Sequence, residues 1–299
     1  MHRIAPCIWY DTNALEAAEF YVAAFENSKV ETWSQYIEGD GWPPALPAGT
    51  PLNVRFTLCG QEFNAVNGGP EFSPTPALSF YVDCESEAQL DALWNTLLVG
   101  GSVLMELDAY PFSKKFGWLA DRYGVNWQLS LSGQQQHITP YLLFTRPPLA
   151  EEAMNTWCGI FEDAKITELH RYDKAAAEAT GEAEGNVMYA HFQLEGQPFM
   201  AADSGIGHQF TFTEGVSLMV YCATQAEIDT LWARLTEGGS EQPCGWLKDR
   251  FGVSWQIVPK EMEALGDTSD KARANRVNHA LLQMKKIDIQ TLRDAYNAT

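Results

Sequence analysis

The sequence predicts an α+β protein built from four βαβββ modules, and three observations carry that prediction. The phrase FGWLADRYGVNWQ (116–128) returns as CGWLKDRFGVSWQ (244–256), identical at nine of thirteen positions. The match continues upstream at a nearly constant offset, with ALSFYVDCESEAQLDALWNTLLVGG (77–101) lying on GVSLMVYCATQAEIDTLWARLTEGG (215–239), which marks a duplicated unit. Within each copy, the hydrophobic period switches from strand to helix and back to strand twice.

The elements follow in order. Residues 4–10 read as a strand, and EAAEFYVAAF (16–25) as a helix with Ala17, Phe20, Tyr21 and Phe25 at helical spacing. Strands follow near 29–37, 53–59 and 61–66, bounded by Gly, Pro or Asn. The order then repeats: a strand at 77–83, a helix at 86–98 ending at Gly100-Gly101, and strands near 103–107, 116–120 and 125–131. VRFTLCGQEFNAVNGG matches AHFQLEGQPFMAADSG, and RIAPCIWYD matches HITPYLLFT, so the second copy inherits the same reading.

These boundaries give three parts: 1–133, 137–262 and a helical C-terminal tail at 263–299, with SGQQQ (132–136) as linker. The tail carries Val277, Leu281, Met284, Ile287 and Leu292 and is expected to pack on the domains or on a partner chain. Two loops interrupt equivalent places, 38–51 with four prolines and Trp42, and the polar 172–185.

Composition restricts function. Of 299 residues, 45% are hydrophobic and 12% aromatic, as a folded protein requires. The formal charge of −19, from 39 acids against 20 bases, argues against nucleic acid and anionic lipid as partners. The absence of a signal-like start, of a long apolar run and of paired cysteines leads to the expectation of a cytoplasmic protein with reduced thiols.

The module order and the phrases ITPYLLF, GVSLMVYC, IDTLW and PCGWLKDRFGVSWQIVP resemble the PhnB-like branch of the glyoxalase/bleomycin-resistance/dioxygenase (vicinal oxygen chelate) superfamily. That branch often bears the label 3-demethylubiquinone-9 3-methyltransferase. The resemblance covers nearly the whole chain, including HALLQMKKIDI in the tail, and implies two glyoxalase-like domains in tandem whose paired modules form a curved mixed sheet around a ligand cup. It implies less about reaction, since this fold hosts lyases, epimerases, dioxygenases and drug-binding proteins.

Enzymes of the superfamily hold a divalent metal with His and Glu from the first and last strands of each module. Here the last strands carry Gln128 and Gln256, and the fifth-strand positions carry Ala77 and Gly215. The fourth strands offer Asn64 or Glu62 and Met200 or Pro198, with the register open. His137 falls near a first-strand ligand position where the first copy has Arg3. The expectation is no bound metal and no cofactor, with a divalent metal as the alternative.

Strand alternation assigns cup-facing side chains. In the second copy these are His191, Gln193, Ser217, Met219, Trp246, Lys248 and Gln256, with Cys244 beside them. In the first copy they are Arg55, Thr57, Ser79, Tyr81, Trp118 and Gln128. Cys244 and His191 are the catalytic candidates, because a nearby imidazole can lower a thiol's pKa. Asp121, Arg122, Asp249 and Arg250 read as hairpin builders, and Trp94 and Trp232 as core.

The resulting expectation is binding of a small organic molecule without metal, in a homodimer or an intramolecular domain pair. A metal-dependent lyase or dioxygenase is the alternative. Behind it stand a methyltransferase and an interaction module with filled cups. Gly205-Ile206-Gly207 precedes no convincing helix for a nucleoside-type methyl donor.

Overall fold

The computed structural model describes residues 3–145 and 147–298, so the outer domain bounds drawn at 1 and 299 lie outside the described residues. The first copy runs β1 (Ile4–Tyr10), α1 (Ala14–Ala24), β2 (Lys29–Gln35), β3 (Pro51–Leu58) and β4 (Gln61–Asn67), then β5 (Leu78–Cys84), α2 (Glu87–Leu97), β6 (Ser102–Tyr110), β7 (Ser113–Ala120) and β8 (Asn126–Leu131). The second copy follows with β9 (His137–Phe144), α3 (Ala150–Ile160), β10 (Lys165–Arg171), α4 (Lys174–Thr180), β11 (Val187–Leu194) and β12 (Gln197–Asp203). Its second module is β13 (Val216–Cys222), α5 (Gln225–Leu235), β14 (Ser240–Glu241), β15 (Trp246–Lys248) and β16 (Ser254–Pro259). The tail forms α6 (Met262–Leu265), α7 (Lys271–Leu282) and α8 (Ile289–Asn297).

Sequence dictates where the helices start. The hydroxyls of Ser86 and Thr224 accept the amides of Gln89 and Glu227 at the heads of α2 and α5. No local side chain does this for α1 and α3. Their first amides, of Ala14 and Ala150, are taken by Asn67 at the end of β4 and Asp203 at the end of β12.

The strands form two eight-stranded mixed sheets, and each takes one module from each copy. The first sheet has the order β14-β15-β16-β13-β1-β4-β3-β2, the second β10-β11-β12-β9-β5-β8-β7-β6. The copies are joined by antiparallel pairing of β1 with β13, Cys7 opposite Ser217, and of β5 with β9, Ser79 opposite Tyr141. The core lies where the helix-bearing faces of one copy's two modules meet. Phe63 packs on Phe80 at 5.1 Å between ring centroids and Tyr21 on Trp127 at 5.3 Å, and in the second copy Trp157 packs on Trp255 at 5.8 Å. Trp94 and Trp232 are core residues, as read from sequence.

Two sequence expectations change. Residues 172–185 contain α4 rather than only a polar loop: Asp173 caps it by accepting the amide of Ala176, and Gly181 closes it at φ +75°. Each cup was also read as belonging to one copy, whereas the sheet edges cross between copies. Among the described residues, no helix is long and apolar enough to cross a membrane.

Candidate functional site

Register pairs share a face, so the sheets sort the predicted site residues directly. On the second sheet, His191 lies opposite Met200, Met200 beside Tyr141, Tyr141 opposite Ser79, and Tyr81 beside Gln128, which faces Trp118. Gln193 shares this face and donates to Asp163 at 3.1 Å. Thus His191, Gln193, Ser79, Tyr81, Trp118 and Gln128 come together in one cup. On the first sheet, Arg55 pairs with Asn64, Asn64 with Cys7, Cys7 with Ser217, and Met219 with Gln256, which faces Trp246. Thr57 and Lys248 complete that set.

This sorting corrects the catalytic pair. Cys244 precedes β15 of the first sheet while His191 is on β11 of the second, so the His191 imidazole does not activate the thiol. Burial instead pushes the Cys244 thiol up to about 11, and its Sγ points at the Leu281 carbonyl 3.7 Å away. Lys248 is not a free cation either. Its Nζ lies 2.9 Å from Glu214, whose carboxyl is raised by burial and lowered by more through the bonds from Lys248 and Gln242.

The tail separates the two cups. Ala5, Tyr221 and Val258, which share the cup face of the first sheet, are buried against Val277, Leu281 and Leu292, with Met219 and Trp42 packed alongside. The first sheet's cup is therefore covered by α7 and α8. No equivalent segment follows β8, because five residues lead straight into β9.

In the second sheet's cup the floor is neutral. Gln128 Nε2 donates to Ser79 Oγ at 2.8 Å, and both are buried. The walls are aromatic: Tyr81 packs on Phe116 at 6.3 Å, and Phe116 on Tyr110 and Phe112 of the β6–β7 hairpin. At the opposite wall, His170 stacks on Tyr189 at 4.3 Å, and Glu168 lies 2.6 Å from His170 and 4.0 Å from His191. Tyr141 is raised by burial and by its neighbours Tyr172 and Tyr81. The indole N–H of Trp118 is buried without a hydrogen-bond acceptor. A buried donor left alone costs about 1–3 kcal/mol, so an acceptor placed there gains that much back.

The register also settles the metal positions. The first sheet presents Cys7, Asn64, Ser217 and Gln256, the second Tyr141, Met200, Ser79 and Gln128. Gln256 repeats the floor pairing by donating to Ser217 at 2.9 Å, and burial pushes Cys7 up to about 12, leaving a protonated thiol. A divalent cation needs deprotonated or charged donors, which these rows do not supply. The set does not fit the His/Glu site of the superfamily's enzymes, and no cluster of three His, Cys, Asp or Glu suited to a metal exists among the described residues. His137, opposite Asp83, is exposed at the start of β9.

Sequence reasoning missed Cys7, Tyr141, Tyr189 and His170. The first two were available from the 134-residue offset between IAPCIWY and ITPYLLF once alternation was applied to the first strands. Two surface clefts, one lined by Thr156, Arg234 and Arg250, the other by Gln225, Asp288 and Arg293, contain no predicted site residue.

Among known structures, a PhnB protein from Bacillus cereus is 41% identical over 43% of this chain and 98% of its own, with a TM-score of 0.40. Glyoxalase I from Zea mays is 12% identical over 92% of this chain and 97% of its own, with a TM-score of 0.52, a likeness of fold. No curated protein matches the chain significantly. The family described as 3-demethylubiquinone-9 3-methyltransferase matches residues 2–130 and again 136–258. With nearly every residue before the tail inside one of those two matches, the chain belongs to that family and carries its domain twice.

Proposed function

We propose that the protein binds a small aromatic molecule bearing hydrogen-bond acceptors in the cup of the second sheet, without a metal ion. The observation that supports this most is the buried, acceptor-less indole N–H of Trp118, set between Tyr81, Gln128 and an aromatic hairpin on the sheet that the tail does not cover. Aromatic walls stack a flat ligand, a neutral Ser–Gln floor accepts an uncharged one, and His191 at the rim adds a polar contact. Quinones and related aromatic carbonyl compounds fit that description and match the substrate class in the family's name. For methyl transfer itself the chain offers little support: Gly205-Ile206-Gly207 leads into β13, not into a helix whose amides could cradle a nucleoside donor.

The test is thermal unfolding and titration calorimetry against simple benzoquinones, methoxyphenols and aromatic ketones. At least one compound is expected to raise the unfolding temperature by mass action, with EDTA leaving its affinity unchanged. Trp118→Phe should keep the fold and weaken that affinity about two- to tenfold, as loss of one hydrogen bond does. An unresponsive panel, or a ligand bound equally well by Trp118→Phe, sinks the site. Loss of binding with EDTA sinks the metal-free part.

A further inference from the structure

The cover on the first sheet includes a carboxylate placed against an arginine. Glu263 on α6 brings Oε2 to 2.6 Å from Arg55 Nη1, and its Oε1 accepts the hydroxyl of Thr32 at 2.9 Å. A guanidinium and a hydroxyl of the first copy thus hold both oxygens of a carboxylate from the tail. Beside Arg55 on the same face stands Asn64, whose Nδ2 is buried without a partner while its Oδ1 accepts the Tyr221 hydroxyl at 3.1 Å. The indole N–H of Trp42, packed against the tail cluster, is also buried without one. Both of these groups are donors, and the buried carboxylate of Glu62 stands on the same face, opposite Thr57. The amide donor of Asn64 next to an arginine suits an oxyanion, since charge-assisted bonds to a planar carboxylate are the strong ones.

We infer that the first sheet's cup is a second ligand site, for a small organic molecule bearing a carboxylate, and that the tail keeps it closed with Glu263 in the position of the ligand's carboxylate. The neighbouring aromatics suit an aromatic body: Trp9 meets Trp246 at 5.9 Å and Phe72 at 5.0 Å. The tail also holds the 38–51 loop, through Asn275 to the Glu38 carbonyl and His279 to the Gly39 carbonyl, so opening releases tail and loop together. This site is separate from the second sheet's cup.

Equilibrium dialysis with benzoate, and with uncharged benzamide as control, tests it on three chains: the parent, one ending at Lys260, and Glu263→Ala in the full chain. The shortened and Glu263→Ala chains are expected to take up one more equivalent of benzoate than the parent, about tenfold more tightly, and no additional benzamide. Adding Arg55→Gln should abolish the gain. Uptake equal to the parent's, or a gain that survives Arg55→Gln, overturns the proposal. If circular dichroism shows the shortened chain unfolded, Glu263→Ala decides alone. Trp118→Phe leaves this gain unchanged, so failure here and failure of the other cup are read apart.

Discussion

Asp249 accepts four hydrogen bonds: from the amides of Phe251 and Val253 on Oδ1, and from the indoles of Trp157 and Trp255 on Oδ2. Asp121 repeats the arrangement, with Tyr123, Val125, Trp127 and the Tyr21 hydroxyl as donors. The sequence showed these two residues as turn builders, and they are. Their second oxygens reach a helix from the preceding module, which local spacing cannot reveal. An asparagine amide in either place sets its own N–H against a donor, so Asp249→Asn should cost about 2–4 kcal/mol in urea unfolding. Burial raises the carboxyl pKa of both, against those bonds. A raised folded pKa means that the contribution to stability is full below the ordinary aspartate range and declines as pH rises through the folded value. Asp249→Asn should therefore flatten the fall in stability on going up from acid pH, and an unchanged pH slope would refute this assignment.

At the scale of elements, the starts of α1 and α3 depend on residues 53 positions away. Asn67 Oδ1 takes the Ala14 amide and its Nδ2 donates to the Pro51 carbonyl, while Asp203 takes the amides of Ala150 and Val187. Asn67→Ala should destabilise by about 1–2 kcal/mol, the range of a lost N-cap, and hydrogen exchange should show faster opening at the head of α1. A change confined to β4 would count against the brace. Alternation and helical period made most elements legible, including Ile4–Tyr10 and the helix ending at Gly100. The α4 turn was not, because KAAAEAT alternates no apolar face and its cap, Asp173, lies in a run of polar residues. Phe192 and Leu218, which alternate with the cup-facing His191, Gln193, Ser217 and Met219, are buried in the core. Which faces combine into one cup depends on the partner strand, and no periodicity carries that information.

For the whole molecule, the crossing of the sheets between copies has a direct test. A chain ending at 133 keeps β1 and β5 but loses β13 and β9, their antiparallel partners. Since β5 is the equivalent of β13, two such chains can restore both edges by pairing β1 of one with β5 of the other. Light scattering should find residues 1–133 as a dimer, and mixing with 137–299 should give a one-to-one complex. A folded monomer of either half would contradict the topology. Duplication showed the repeat, and with it the four modules, but a tandem of self-contained cups and a crossed pair have the same sequence signature. The five-residue step from β8 to β9 and the 40 residues after β16 also set a difference in history between the cups. In a homodimer of single domains every substitution is made twice, so neither cavity can change alone. A fused chain has no such symmetry: one cavity is able to acquire a cover fitted to it while its twin goes on sampling new ligands.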